Sequence, residues 1–238
     1  MGAGGVPVGR ERLRDAPVHA GAVLAGNLRG SSQGFILGQK NGPTTMSLEL
    51  ELQKFPKTIT LRDGTEVVLR PLQSTDEPAF HEFFLAVPEH ERMFIKHRVT
   101  DRAVIRNWCQ NIDYGRNFPL LALAGSRIVG DATLHQQLGG WKRHVGRVSV
   151  LVHPRFRGRG LARALVSEIV EVARNLGLEK VEAEFIGEQE AAMKLFALLG
   201  FTHLVRIPDH VKDMQGIKHD YILMELVLRT DEEYAGAG

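Results

Sequence analysis

The stretch Val148-Ser149-Val150-Leu151-Val152-His153-Pro154-Arg155-Phe156-Arg157-Gly158-Arg159-Gly160-Leu161-Ala162 decides how this 238-residue chain is read. Its first residues are aliphatic and β-branched around one serine, which suits a strand. Pro154 ends that strand, because proline cannot donate to a ladder. A loop rich in Gly and Arg follows and runs into a helix from Gly160 to Leu176. Leu161, Leu165, Ile169, Val172 and Leu176 recur along it at spacings of three and four, which gives one apolar face. Gly177 stops the helix. Glycines let backbone N–H groups approach a ligand closely. The first turn of a helix leaves further N–H groups unpaired and carries a partial positive charge. Together these form an anion site whose common occupant is phosphate. Arg155, Arg157, Arg159 and Arg163 add charge beside it. Two other phosphate loops are excluded. No Gly-x-x-x-x-Gly-Lys-Ser/Thr occurs, and Arg163 stands where a dinucleotide fingerprint needs its third glycine.

Working outward, Lys57–Leu72 reads as two short strands around the Asp-Gly turn Arg62-Asp63-Gly64-Thr65. Ser74-Thr75-Asp76-Glu77 has the form of a capping box opening a helix to about Val87. Thr100 and Asp101 open a second helix, with Val104, Ile105 and Trp108 on one face. Strands are expected at Phe118–Ala124, Arg127–Gln137 and His144–His153. Beyond the long helix come a strand at Glu179–Ile186 and a helix at Glu190–Leu199 closed by Gly200. Two last strands lie near Thr202–Arg206 and Tyr221–Arg229. The order is two strands, two helices, three strands, helix, strand, helix, two strands. It predicts one α/β domain around a mixed sheet, spanning residues 46–230.

The composition is 43% hydrophobic and 24% charged, which is ordinary for a globular domain able to bury a sizeable core. Residues 1–45 differ: they hold 10 of the 25 glycines, five basic residues and two acids, with no sustained period. They are expected to be disordered, a flexible extension or sequence upstream of a start at Met46, over a basic arm or transit-like leader. Residues 231–238 are expected to form a flexible tail. The remaining chain carries 25 basic against 26 acidic residues, too even for a nucleic-acid binder that relies on a general phosphate field. A single cysteine, Cys109, excludes an intrachain disulfide and a Cys-based zinc cage, and no metal is expected. No apolar run approaches the roughly 20 residues of a membrane span. The expected setting is cytoplasmic, with no membrane partner. Oligomeric state is left open, a homodimer included.

At this point the residues resemble a known family. Arg157-Gly158-Arg159-Gly160-Leu161-Ala162 matches the Gln/Arg-x-x-Gly-x-Gly/Ala loop of the GNAT superfamily of N-acetyltransferases. Ala191–Phe201 resembles the family's second signature, which ends in Gly-Phe, here Gly200-Phe201. The element order is also similar, so the resemblance covers roughly Lys57 to Arg229. It implies a mixed, mostly antiparallel sheet with helices on both faces and a splayed pair of parallel strands. It implies acetyl-CoA as co-substrate, its pyrophosphate on the amides of Arg157, Gly158, Arg159, Gly160, Leu161 and Ala162. Main-chain groups of Val150, Leu151 and Val152 would pair with the pantetheine arm, and the thioester would sit in the gap between the strands. Gln189 and Phe196, of the second signature, complete the cofactor side.

Acyl transfer to an amine needs a neutral amine, and a Lys amine has a reference pKa of about 10.4. A base must therefore remove a proton. In Glu179–Ile186, Glu182 and Glu184 alternate with Val181, Ala183 and Phe185, and a carboxylate between helix-covered faces is costly without a role or a partner. Glu184 also lies where the resemblance to ribosomal-protein alanine acetyltransferases puts a general base. A structural alternative is that it faces solvent or pairs with an arginine. The second signature departs from the pattern twice. Gln189 stands where many relatives have Asn, and Phe196 where they have a Tyr that protonates the thiolate. A CoA thiolate can leave unaided, since a free thiol has a pKa of about 8.5, or Tyr221, Tyr114 or water can substitute.

Other candidates carry less. Cys109 reads as a buried structural thiol. His135 and Ser149 flank the expected cleft, and Asn111–Asn117 with Tyr114 joins helix to strand near it. Asp209–Asp220 reads as a solvated surface loop, with an acidic loop over the acceptor site as the functional alternative. Its neighbourhood loosely resembles bacterial protein lysine acetyltransferases. The expected function is transfer of acetyl from acetyl-CoA to a primary amine, small molecule or protein, by direct attack. The rivals are an acyl-CoA sensor without catalysis and a nucleic-acid binder using the arginine loop.

Overall fold

The computed structural model of the chain describes residues 43–95 and 97–228. The expectations on residues 1–42 and on the tail 231–238 lie outside that range. The first element is helix α1, Pro43–Gln53, so regular structure begins inside the stretch expected to be irregular. Leu48 and Leu52 of α1 pack against the main core. The hairpin follows as β1, Lys57–Thr60, and β2, Glu66–Pro71. The capping box forms one residue earlier than expected, between Gln73 and Asp76, and opens a short 3-10 turn ahead of helix α2, Glu77–Ala86. A one-turn helix, α3, Glu89–Arg92, and helix α4, Arg102–Gln110, complete this segment. Asp101 caps α4 by accepting the Ala103 amide at 2.9 Å.

Then come β3, Asn117–Ala124, β4, Arg127–His135, and β5, Val145–Val152. Helix α5, Leu161–Asn175, leads to β6, Lys180–Ile186, and α6, Glu190–Leu198. The last two strands are longer than expected: β7 is Thr202–Lys212 and β8 is Lys218–Val227. Asp209–Asp220 is therefore no surface loop but the end of a hairpin. Only the tip around Asp213 turns, where its carboxylate accepts the amides of Gln215 and Ile217, both at 2.9 Å.

The eight strands form one sheet in the order β1-β2-β3-β4-β5-β6-β8-β7. Every neighbouring pair is antiparallel except β5–β6. Alternation divides the side chains between two faces. Leu120, Ala122, Ala132, Leu134, Val148, Val181 and Met224 join α1, α5 and α6 in one cluster, while Leu121, Leu123 and Ile128 join α2 and α4 in the other. The apolar run Phe118–Ala124 is thus buried on both sides. Among the described residues no helix is long and apolar enough to cross a membrane.

Gly130 shows how closely α5 rides on the sheet. A Cβ there would stand 2.8 Å from Leu165 Cδ1 and 3.2 Å from Leu161 Cδ2. Gly130→Val should therefore destabilise the domain by about 1–3 kcal/mol through overpacking. Urea denaturation checks this, and an unchanged midpoint would contradict the packing.

Candidate active site

The parallel pairing of β5 with β6 is short. It runs only from Val145 opposite Lys180 to Arg147 opposite Glu182. Beyond that β5 continues to Val152 bonded to β4 alone, and β6 continues to Ile186 bonded to β8 alone. The two strands splay, and the edge of Val150, Leu151 and Val152 that faces the gap has no strand beside it among the described residues. An extended amide chain fits such an edge as an added strand would.

At the carboxyl end of β5 the loop turns into α5. Gly160 is the cap residue, with φ of +90°, and Gly158 has φ of +74°. L-residues rarely adopt either value. The first backbone bond of α5 is given by Ala164 to Gly160 at 3.1 Å, so the ladder leaves the amides of Leu161, Ala162 and Arg163 without a helical partner. Two of the four arginine heads are committed elsewhere. Arg157 donates to both carboxylate oxygens of Glu91 at 2.7 Å and to the Val152 carbonyl at 3.2 Å. Arg159 donates to Asp63 at 2.7 Å and lies over the Phe156 ring. The anion-binding capacity of this loop is that of its backbone with Arg155 and Arg163, while the guanidiniums of Arg157 and Arg159 tie it to α3 and the β1–β2 turn. This geometry suits a diphosphate at the loop and a pantetheine arm in the gap.

The second face of the sheet becomes polar from β4 onward. Helices α2 and α4 cover its apolar part, while Arg147, Ser149, Glu182, Glu184 and Tyr221 stand beyond them. Glu184 is half-buried and accepts from Arg147 Nη1 and from the Tyr221 hydroxyl, both at 3.3 Å. The expected cost of a carboxylate between two helix layers does not arise, because the helices do not cover this part of the face. The expected alternative of an arginine partner is present, and a tyrosine joins it. Burial, followed by the charge of Glu184, pushes the Tyr221 hydroxyl up to about 12, so it holds its proton throughout the neutral range. Tyr114 is not available in the same way, since its hydroxyl donates to the Leu72 carbonyl.

The second signature looks inward. Phe196, expected beside the thioester, is 1% exposed and packs edge-on against Phe185 and Phe201, with ring centroids at 5.0 and 4.9 Å. Gln189 closes the β6–α6 turn, its Oε1 accepting the Ile186 amide at 3.0 Å. Cys109 is buried, and burial with the charges of Asp76 and Glu77 raises its thiol to about 11. Asp131 escaped the sequence reading because nothing local marks it. It is 8% exposed, and burial pushes its carboxyl up to about 7 despite the Thr133 hydroxyl donating at 3.2 Å.

One further cluster closes the end of the site. His219 Nδ1 lies 2.8 Å from Glu188, its Nε2 lies 3.4 Å from Asp213, and its ring meets Phe94 edge-on. This joins the hairpin tip, the β6–α6 loop and the segment after α3. The hydrogen bond to Glu188 is the main cause that raises the His219 pKa. A raised value means the folded protein holds this proton more tightly than the unfolded chain. The stabilisation is full below the unfolded value, about 6.5, and fades as pH rises through the higher folded one. His219→Gln should accordingly lower the melting temperature most in mildly acid solution and least in alkaline solution. A pH-independent difference would contradict this account.

Residues 78–201 match the acetyltransferase (GNAT) family model. The chain is 32% identical over 114 residues to the L-amino acid N-acyltransferase MnaT of Escherichia coli, a match covering 45% of this chain and 66% of that protein. Among solved structures, the GNAT domain of S. lividans PAT superimposes with a TM-score of 0.61 at 21% identity, over 72% of this chain and 96% of the other. YncA of Salmonella typhimurium, solved with its cofactor acetyl-CoA, gives a TM-score of 0.59 at 22% identity, over 69% and 95%. At these identities the superpositions establish the fold alone.

Proposed function

The chain belongs to the GNAT family of acetyltransferases, and from that premise we propose that it moves an acetyl group from acetyl-CoA to a primary amine by direct attack on the thioester. The observation that carries this is the splay of β5 from β6, with the unpaired amides of the Gly160 turn at its open end. The amides from Gly158 to Ala162 hold the diphosphate, while that of Arg157, also expected there, is bonded to the Pro154 carbonyl at 3.4 Å. Main-chain groups of Val150, Leu151 and Val152 hold the pantetheine arm and so aim the acetyl group into the gap. Glu184 draws the proton from the incoming ammonium, directly or through water. Arg147 keeps the carboxylate placed, and Tyr221 donates to it. Phe196 and Gln189 act indirectly, one by packing behind β6 and the other by holding the turn after it.

The acceptor is a primary amine, of a small molecule or of a protein. Free amino acids head the candidates because MnaT is named for acting on them, and a protein amine is the other class to include. The test is a panel of amines with acetyl-CoA, reading thiol release and product mass together. Transfer to one class with matching mass supports the reading. Tight CoA binding with no transfer to any amine would replace it with an acyl-CoA sensor.

A further inference from the structure

Three side chains distant in sequence meet on the open face of the sheet beside the gap. His135 ends β4, Asn117 begins β3, and Ser149 lies on β5 just past the last residue that pairs with β6. Register brings them together: Asn117 stands opposite His135, and Thr133 opposite Ser149. His135 Nδ1 is 2.7 Å from Asn117 Oδ1, and His135 Nε2 is 3.2 Å from Ser149 Oγ. An amide oxygen can only accept, so Nδ1 carries the proton and Nε2 presents its lone pair to the serine hydroxyl. Ser149 is exposed, so its oxygen can reach a substrate while its hydrogen points to the imidazole. A hydroxyl backed by an imidazole, itself oriented by a third group, is a proton-transfer arrangement.

We propose that Ser149 and His135 form a proton relay for the transfer reaction, with Asn117 as the positioning residue that fixes the ring. The inference rests on the acetyltransferase reading. Glu184 meets the ammonium, before attack. The relay serves the second proton. When the amine nitrogen bonds the acetyl carbon, that nitrogen must shed one more proton. It passes to Ser149 Oγ as the hydroxyl proton passes to His135 Nε2. The C–S bond then breaks with its electron pair on sulfur. The imidazolium returns the proton along the same path to the thiolate, giving amide and thiol, and Glu184 releases the first proton to solvent.

Several charged groups stand around the ring. Arg147 stands opposite His135 on β5 and is bonded to Glu184. Glu182 is bonded to Lys142, and Arg116, beside Asn117, is paired with Asp113. Asp131 lies further along β4 with Thr133 between.

The test uses the full chain and the best amine from the panel. His135→Gln keeps a hydrogen-bonding side chain of similar reach without a titrating ring. It should lower kcat by about 10²–10³-fold, within the usual contribution of an acid–base group. CoA affinity, acceptor KM and melting temperature should stay near wild type. The pH–kcat profile of His135→Gln should change in shape, and differently from that of Glu184→Gln, because the two groups handle different protons. Ser149→Ala should turn a curved proton inventory in H2O–D2O mixtures into a linear one, because one of two protons in flight is removed. The relay is overturned if His135→Gln stays within threefold of wild type. It is also overturned if its rate loss comes with an equal loss of CoA affinity or melting temperature, the mark of a packing role. A wild type that binds CoA and acetylates no amine overturns both relay and function; a normal rate with an intact His135→Gln profile overturns the relay alone.

Discussion

Glu184→Gln is expected to lower kcat/KM by about 10²–10⁴-fold, the usual contribution of a positioned general base. The substitution keeps the shape and the hydrogen-bonding oxygen that Tyr221 and Arg147 approach, and it removes the charge and the basicity. CoA affinity should hardly change, since Glu184 lies on β6 and the diphosphate site lies beyond β5. The deficit should shrink as pH rises. An α-amine loses its proton near pH 8 and a Lys amine near 10.4, so the base has less to do in alkali. A glutamine variant whose pH–rate profile superimposes on wild type removes Glu184 from the chemistry. Its role would then be structural, through its contacts with Arg147 and Tyr221, each at 3.3 Å. Tyr221→Phe separates the two cases further. It removes the hydroxyl that donates to Glu184 and leaves the Arg147 bridge intact, so a shifted profile there, with an unchanged melting temperature, ties the pair to proton handling.

The parts of this site that were legible in the sequence are those written in contiguous residues. A strand, a Gly-x-Gly turn and an amphipathic helix lie within one short stretch, and the structure forms them where expected. The run Phe118–Ala124, apolar without alternation, is likewise a strand buried on both faces. What was not legible depends on pairing across the sheet. Asn117, His135 and Ser149 meet only because the registers of β3, β4 and β5 align them, and no spacing in the chain encodes that. Arg147 and Tyr221 reach Glu184 by the same route, from strands on its two sides. Asp209–Asp220 misled for a different reason. Its acidic and His residues have the composition of a loop, yet Asp220 is bonded to Arg206 at 2.6 Å and His219 to Glu188, so partners outside the segment satisfy the polar groups of a strand. α1 was missed because Leu48-Glu49-Leu50-Glu51-Leu52 alternates with the period of a strand, while Leu48 and Leu52, one helical turn apart, are the ones that reach the core.

Gly160→Val is expected to weaken CoA binding at least tenfold, because backbone strain adds to the need for a close approach. At φ of +90° a β-branched residue is a backbone outlier, with a cost of about 1–3 kcal/mol. Its Cβ would meet only the Arg62 side chain, at 3.5–3.7 Å, an ordinary contact, so the protein itself does not exclude it. The backbone can answer the strain by rotating, which turns the Leu161 and Ala162 amides away from their common target. Some fall in melting temperature must accompany this, about 2–4 °C per kcal/mol for a domain of this size. Affinity for CoA alone is therefore ambiguous. Acetyl-pantetheine resolves it, because it carries the arm and the thioester but no diphosphate. If the Gly160 turn binds the diphosphate, the variant loses affinity for CoA and keeps its affinity for acetyl-pantetheine. Calorimetry with both ligands gives the answer in one comparison. Equal losses would mean that the valine disorders the whole β5–α5 junction, and unchanged CoA affinity would remove the turn from the site.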